Sequence, residues 1–278
     1  MLALASAFLF GAMSVALRIA LDRDPDVALA TIATAVTALI VALVAAAAET
    51  PSRGLHLSAA WPFLLAGLLS PGAAQIFVTT AIRESGSSRV SMIFGTAPLV
   101  SVTIALVFLG EPASVPLIVG AVLIVAGGVE LARERDRPAH LNRLGLVFAF
   151  AGATLFAIRD NLVRHFAVGS TAVPPAVAAA AALLGGTVLI AAWARQGPAL
   201  RWLRFVPAGV LFGASYVSLF EAYYRGRVTV VAPLVAVESL FGVALSALLL
   251  RDSEHVGRQL VFGAALVVAG GALIGAFR

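Results

Sequence analysis

Residues 10–18 read FGAMSVALR, and residues 151–159 read AGATLFAIR. Both stretches are apolar and end on an arginine, and four positions of the first recur unchanged in the second, 141 residues later. The four recurring positions are Gly11, Ala12, Ala16 and Arg18. A match at a fixed offset indicates an internal repeat, which constrains the architecture more than any single segment does. The chain is therefore predicted to consist of two similar halves.

The repeat continues towards the end of each half. Trp61 recurs as Trp202 at the same offset. The pair Gly127–Gly128 recurs as Gly270–Gly271 at an offset of 143. A two-residue insertion near residues 251–253 accounts for the changed offset. The correspondence thus covers both the beginning and the end of the two halves.

The composition identifies lipid as the expected solvent. Hydrophobic residues make up 61% of the chain, charged residues only 12%, and the mean hydropathy is +1.01. A soluble domain is about 45–50% apolar and about 25% charged, so this chain has too few polar side chains to cover a surface in water. The sequence contains no cysteine, which excludes disulfides and thiolate metal sites. Its arginines stand singly between apolar runs, which does not suggest nucleic-acid binding.

Ten apolar runs have the length of about 20 residues that a helix needs to cross a bilayer. They lie near residues 2–21, 28–48, 62–82, 90–109, 116–132, 145–166, 174–194, 205–224, 230–250 and 256–277. The longest and most charged connection, 133–143, separates the first five from the last five, so we expect repeats at 1–136 and 137–278. Because five is odd, the second half enters the membrane from the other side. The prediction is an all-α integral membrane protein with ten transmembrane helices in two inverted five-helix repeats.

The segment FGTAPLVSVTIALVFLGEPASVPLIVGAVLIVAGGVEL at 94–131 resembles the ten-span EamA-type members of the drug/metabolite transporter (DMT) superfamily. The resemblance rests on Pro98, on the L-G-E that follows span 4, and on the G and G-G along span 5. The second copy departs from this pattern. Where the family often has Glu-Pro in span 9, this chain has Glu238–Ser239, which implies a straighter span 9.

The resemblance implies a secondary transporter that exports amino acids or related small metabolites across the cytoplasmic (inner) membrane of a bacterium. It also implies a central cavity lined by spans 1, 3, 4, 6, 8 and 9. The expected partners are a small-molecule substrate and membrane lipid, with the proton as a candidate coupling ion. Neither an enzyme nor a cofactor or metal site is expected, since the sequence shows no nucleophile–base pair and no ligand cluster. The alternatives are a broad-specificity drug efflux pump and a non-transporting helper subunit.

Polar side chains at membrane depth usually face a cavity or a partner, because burying them in lipid is costly. On this ground the cavity spans supply a set of candidate substrate-binding residues. They are Ser14, Arg18, Gln75, Thr79, Thr96, Arg159, Asn161, Tyr216, Ser218, Glu221 and Glu238. Pro71 and Pro98 are candidate hinges, because a proline in a helix frees a carbonyl and bends the axis.

Several of these residues have two interpretations. Arg18 lies near the end of its span and either reaches to the headgroups or binds a carboxylate in the cavity. Asp160 either pairs with Arg159 or Arg164 or contacts the substrate. Glu238, eight residues into span 9, either exchanges a proton or holds an ammonium group, or is a structural acid.

Tyr223 and Tyr224 are expected at the membrane interface. The glycines of spans 5 and 10 predict that these two spans pack closely against each other. Small residues at heptad spacing let helices approach each other in lipid. The glycines concerned are Gly120, Gly127, Gly263 and Gly270.

The arginine count and the family resemblance predict opposite orientations of the chain in the membrane. Six arginines fall on the side of the chain termini and thirteen on the opposite side. The positive-inside rule would then place the termini outside the cell. The resemblance implies cytoplasmic termini.

Overall fold

A computed structural model describes residues 1–53, 57–94, 96–110, 114–132, 143–169, 173–195, 200–250 and 257–276. Apolar runs of about 20 residues fold as helices in lipid because a helix satisfies its own backbone hydrogen bonds. The helices are α1 (Leu2–Arg23), α2 (Val27–Arg53), α3 (Trp61–Gly67), α4 (Ala74–Ser85), α5 (Ser87–Phe94), α6 (Ala97–Phe108), α7 (Val115–Ala132), α8 (Arg143–Gly169), α9 (Pro175–Ala194), α10 (Val206–Arg225), α11 (Val228–Val235), α12 (Glu238–Leu249) and α13 (Arg258–Ala276). Over these described ranges the chain contains no β-strand.

These helices combine into ten spans over the described residues. α3 and α4, joined by a π-helical turn at Leu68–Ala73, form span 3. α5 and α6 form span 4, α11 and α12 form span 9, and every other α-helix is a span by itself. Spans 1, 2, 3, 6 and 7 are each long and apolar enough to cross a membrane on length and composition alone. Below, the terminal side is the side where α1 begins, and the opposite side is the side where α1 ends.

The packing of the spans shows the relation between the two halves. Span 1 packs against spans 8 and 9, and span 6, its counterpart in the second half, packs against spans 3 and 4. Span 2 packs against span 8 as span 7 packs against span 3, while spans 2 and 7, 4 and 9, and 5 and 10 meet each other. Exchanging the halves therefore preserves the pattern, as a two-fold axis requires. With five spans per half that axis lies in the membrane plane, which confirms the predicted inverted repeats.

Two arginine clamps show the same inversion in atomic detail. Arg18 donates from Nη1 to the carbonyl oxygens of Ile82 (3.2 Å) and Arg83 (2.9 Å) at the end of span 3, on the opposite side. On the terminal side, Arg164 donates from Nη1 to the carbonyls of Tyr223 (3.0 Å) and Tyr224 (3.5 Å) at the end of span 8. The clamped carbonyls are 141 residues apart, as in the sequence repeat. A cation at a helix C-terminus satisfies orphan carbonyls and opposes the helix dipole.

Arg18 therefore acts as a clamp and not as a cavity residue. Its side chain also forms an ion pair with Asp22 at 3.1 Å. Its sequence counterpart is Arg159, but its structural counterpart is Arg164, five residues further along span 6. Arg18 and Arg159, which correspond in the sequence repeat, thus do not make equivalent contacts.

Three spans are interrupted, and each interruption has a local cause. In span 3, Ser70 takes an extended conformation just before Pro71, which lacks an N–H, and the helix widens into the π-helical turn. In span 4, α6 restarts after Thr96 with Pro98 in its first turn, where a proline is tolerated.

Span 9 is also interrupted, between Val235 and Glu238, by a tighter turn in which Ala236 and Val237 keep right-handed helical backbone angles. That span 9 is straighter than in the family stays a prediction. The backbone tightens there into bonds from residue i to i−3, from Ser239 N to Ala236 O and from Leu240 N to Val237 O. The Ser239 hydroxyl adds a third bond to Ala236 O, at 2.8 Å. Ser239, where the family often has proline, thus adds a side-chain hydrogen bond to this tightened turn.

Spans 5 and 10 meet through glycine backbone. A Cβ on Gly127 would lie 2.5 Å from the carbonyl oxygen of Gly263, and one on Gly270 would lie 2.4 Å from that of Gly120. Real Cβ atoms do not come this close to backbone, so α7 and α13 pack at a distance that only glycine allows. The boundary predicted at 136/137 lies outside the described residues.

One charged cluster joins the two halves outside the membrane, on the opposite side. Asp24, which is 3% exposed, accepts two bonds from Arg201, of which the one from Nε is 2.7 Å long. Arg204 adds a contact of 3.3 Å. Arg201 holds the pKa of Asp24 below its usual value, although burial acts in the other direction. The cluster fastens the loop after span 1 to the start of span 8.

The glycine contact predicts the effect of adding one methyl group. Gly270→Ala should destabilise the protein by about 1–3 kcal/mol, because the new Cβ meets backbone that cannot move aside. Thermal unfolding in detergent measures the effect as a lower Tm. Ala265→Val, at an exposed position of the same helix, is the control and should leave Tm unchanged. An equal Tm for both variants would contradict the tight packing of spans 5 and 10.

Candidate functional site

A cavity lies between the broken parts of spans 4 and 9, in the half of the molecule nearer the terminal side. Residues from spans 1, 4, 6, 8 and 9 line it. They are Ser6, Phe10, Phe94, Ala97, Pro98, Ser101, Phe156, Arg159, Asp160, Ser215, Tyr216, Leu219, Ala232, Val235, Ala236 and Glu238. We call this the central cavity. Five of the six expected spans contribute to it, and span 3 does not.

The central cavity is small in this conformation. Its volume is about 40 Å³. Each water needs roughly 10–15 Å³ of such space, so the cavity holds a few water molecules and no metabolite. Binding of a metabolite therefore requires the surrounding spans to move apart.

Arg159 forms the charged centre of the cavity. It is 1% exposed, and its Nε lies 2.9 Å from Oδ1 of Asp160. Its guanidinium carbon lies 4.6 Å from the ring centre of Tyr216, 5.0 Å from that of Phe156 and 5.9 Å from that of Phe220. A planar guanidinium stacks on aromatic faces and remains ionised, which suits it to a site with little water. Of the two interpretations of Asp160, the ion pair with Arg159 is therefore present in the structure.

Glu238 adds a second carboxylate. It is 5% exposed and begins α12 at the break in span 9. It interacts electrostatically with Asp160 and Arg159. Two carboxylates facing one guanidinium leave the cavity with a preference for one further positive charge or a proton.

Hydroxyl groups and aromatic rings form the remaining wall. The Tyr216 hydroxyl donates to the carbonyl of Ser70 at 2.8 Å, which satisfies the backbone freed by the break in span 3. Ser6 and Ser215 bond to each other's carbonyl oxygens, each at 3.0 Å, and thereby join spans 1 and 8.

Three phenylalanines pack together on the other side of the cavity. Phe10 lies 5.7 Å from Phe94 and 5.6 Å from Phe156, and Phe94 lies 5.4 Å from Phe156, measured between ring centres. The cavity therefore offers a charged end and an apolar aromatic end. Such a surface suits an amphipathic molecule.

The cavity is closed towards the opposite side, where spans 4 and 9 cross. The hydroxyls of Ser87 and Ser246 lie 2.9 Å apart. A Cβ on Gly242 would lie 2.2 Å from the Ser91 hydroxyl, and a Cβ on Gly11 would lie 2.9 Å from the backbone nitrogen of Gly242. Close contacts between small residues thus seal one side of the cavity.

The structure brings four of the predicted residues to the cavity: Arg159, Tyr216, Glu238 and the proposed hinge Pro98. Three others lie near it without lining it: Ser14 and Asn161, which are buried, and Thr96, which is half-buried. Ser14 donates to Phe10 O within its own helix at 3.2 Å. Asn161 donates to Ser101 O and Ala157 O, each at 3.0 Å, which ties span 6 to span 4. Thr96 donates to Ile93 O at 2.6 Å and supports the break in span 4.

The remaining predictions place residues elsewhere. Gln75 and Thr79 are fully buried in span 3, behind the Tyr216–Ser70 bond, and their polar side-chain atoms find no hydrogen-bond partner among the described residues. Glu221 forms an ion pair with Arg225 one turn away. Pro71 packs against Gly186 of span 7 and does not reach the cavity.

Two tyrosines and one serine also need correction. Tyr223 is fully buried beside Asp160 and does not lie at the interface. Tyr224 is partly buried and stacks on Phe63, with ring centres 6.3 Å apart. Ser218 is half-buried on another face of α10 from Tyr216 and does not line the cavity.

The serines and the phenylalanines of the cavity were not among the residues predicted from the sequence. Ser6 and Ser215 are 209 positions apart, so only the packing of span 1 against span 8 brings them together. Phe10, Phe94 and Phe156 look like ordinary core residues in a chain with 16 phenylalanines. The one available signal was the position of Phe10, one helical turn before the candidate residue Ser14 and therefore on the same face of the helix. Within the described part of the chain no three acidic or histidine side chains come together as a metal site would require.

Comparisons with known proteins agree with this fold. The pattern of the EamA-like transporter family matches residues 1–130 and 143–276, one copy for each repeat. One solved crystal structure superposes with a TM-score of 0.71, at 20% sequence identity, over 98% of this chain and 94% of its own. At that identity the similarity concerns the fold alone. No curated protein matches the chain.

Removing the charge of Arg159 and removing that of Asp160 should destabilise the protein to different degrees. Breaking a buried ion pair costs about 3–5 kcal/mol, because one charge stays buried without its partner. Arg159→Met should lower Tm more than Asp160→Asn, since losing Arg159 leaves two carboxylates together, whereas losing Asp160 leaves Glu238 as a partner. Thermal unfolding in detergent compares them. Glu221→Gln, which breaks an exposed pair on α10, is the control, with an expected cost of about 0.3–0.5 kcal/mol. Equal effects of all three variants would contradict the assigned charges.

Proposed function

This chain belongs to the EamA-like transporter family, and we propose that it exports a small amphipathic metabolite with an ammonium group, such as an amino acid, by alternating access. Membership of this family makes it a multi-pass membrane transporter of the DMT type and not an enzyme. The substrate class, the direction and the mechanism are the proposal.

The observation that carries the proposal is the charge content of the central cavity. One guanidinium and two carboxylates share a buried chamber, and a ring of aromatic side chains lies beside them. An ammonium group of the substrate balances the second carboxylate, while its carboxylate has the guanidinium of Arg159 as a partner. The apolar part of the substrate packs against Phe10, Phe94 and Phe156. A zwitterion with an apolar body matches all three features.

The asymmetry of the closure supports alternating access. The cavity lies towards the terminal side and is sealed on the opposite side by the Ser87–Ser246 contact. In two inverted repeats, contacts between the corresponding segments α6 and α11 would seal the terminal side instead. The breaks in spans 4 and 9 flank the cavity and are the natural hinges for that exchange. For export, we place the termini in the cytoplasm, and a C-terminal reporter that works only in the cytoplasm tests this placement.

Flux measurements in proteoliposomes test the substrate class. Vesicles loaded with one labelled compound each, leucine, its decarboxylated amine and its deaminated acid, should show rapid counterflow with leucine. The amine should move more slowly, because Arg159 then keeps Asp160 as its only carboxylate partner, and the acid should not move, because it adds a third negative charge with no ammonium group to offset it. Equal rates for the acid and leucine would contradict the proposal, as would absence of leucine flux with folded protein. Glu221→Gln, outside the cavity, is the control and should behave as the wild type.

Glu238 is the proposed proton carrier. Glu238→Gln keeps the shape of the side chain but removes the group that binds a proton, so a pH gradient should no longer drive accumulation of leucine. Exchange of leucine for leucine should continue, because it needs no net proton movement. The two assays on the same vesicles separate loss of coupling from loss of folding. Equal dependence on the pH gradient in Glu238→Gln and wild type would assign Glu238 a structural role.

A further inference from the structure

The two halves differ where span 4 meets span 5. In the second half both parts of span 9 pack against span 10. In the first half α6, the corresponding part of span 4, stands away from α7, and no comparable packing joins them over the described residues. The separation opens a groove between these two helices, on the outer surface of the molecule.

The groove is much larger than the central cavity. Its volume is about 480 Å³, within the range of roughly 300–1,000 Å³ that is usual for ligand sites. Five residues of α6, between Pro98 and Leu106, and six of α7, between Leu117 and Ala126, line it. Ile118 and Val122 are 60% and 62% exposed, so the groove opens outward. Both helices run through the membrane, and the outer face of the groove is therefore in contact with lipid.

The chemistry of the lining excludes a polar ligand. Ten of the eleven lining residues are apolar. The eleventh, Thr103, donates its hydroxyl to the carbonyl of Leu99 at 2.7 Å and offers no free donor. Water has too few polar partners to occupy such a space, whereas a hydrocarbon chain requires none.

We propose that one acyl chain of a membrane phospholipid occupies the groove between α6 and α7. The groove is continuous with the lipid-facing surface of α7, where Val115 and Val119 are also exposed, so an acyl chain enters without crossing any polar surface. Its headgroup stays at the membrane surface on the terminal side, where α6 ends and α7 begins.

Pro98 links this site to the central cavity, because it lines both. It stands in the first turn of α6, directly after the break in span 4. An acyl chain in the groove therefore occupies the space into which α6 would move if span 4 closed against span 5. The lipid holds the first half in a different arrangement from the second.

Photolabelling tests the site without requiring transport. The protein is reconstituted with a phospholipid that carries a diazirine in the middle of one acyl chain, then irradiated and mapped by mass spectrometry. Labelling of residues 98–106 and 117–126 should exceed that of the exposed positions Val261 and Phe262 of α13 several-fold. Ala121→Phe fills the groove and should abolish this excess. Ala265→Phe, the same change at an exposed position of α13, should preserve it.

The outcomes that overturn the proposal are distinct. Uniform labelling of all lipid-facing spans, or an excess that survives Ala121→Phe, shows that no acyl chain is seated there. Loss of the excess in wild type on addition of leucine assigns the groove to the path of the substrate instead. If Ala121→Phe does not fold, as judged by gel filtration, Ala121→Leu provides a smaller filling with the same expected loss.

Discussion

A bilayer offers no hydrogen-bond partner to the backbone, and this constraint governs where the chain can depart from a regular helix. Spans 3, 4 and 9 are all interrupted, and each interruption faces the interior of the protein. The Tyr216 hydroxyl satisfies Ser70 O, Thr96 satisfies Ile93 O, and Ser239 satisfies Ala236 O. Side chains thus add hydrogen bonds at each interruption, and at Ile93 O and Ala236 O they join backbone bonds from Thr96 N and Ser239 N. The breaks make room for the central cavity, so the same bonds that tolerate them also position its lining.

The charges in the interior follow a related rule. Arg159 is tolerated because Asp160 neutralises it and three aromatic rings surround it. Glu238 lies within the field of the same guanidinium. One guanidinium and two carboxylates form this unit, and a ligand with a positive group balances the second carboxylate. Outside the membrane, Arg201 and Arg204 are about half exposed while Asp24 is buried between them, and this cluster fastens the two halves together without lining the central cavity.

The sequence predicted the architecture better than the site. Hydropathy, the number of spans and the 141-residue offset can be read from the order of the residues alone, and they led directly to the inverted repeat. The cavity depends on contacts between distant spans, such as Ser6 with Ser215, which no local pattern reveals. Arg18 and Arg159 show the limit most clearly. They are identical and equivalent in the repeat, yet Arg159 is followed by Asp160 and stays inside, whereas Arg18 is followed by Ile19 and reaches the carbonyls of span 3.

The transfer of the clamp from position 159 to Arg164 has a consequence for transport kinetics. If the halves were identical, the conformations open to either side would have equal free energy, and the carrier would present the same half-saturation constant on both faces. Because only the second half places this arginine in the cavity, the conformations open to the two sides differ in free energy. The protein rests in one conformation, and its half-saturation constants on the two faces of the membrane differ. Microscopic reversibility then requires the maximal velocities to differ in the same proportion.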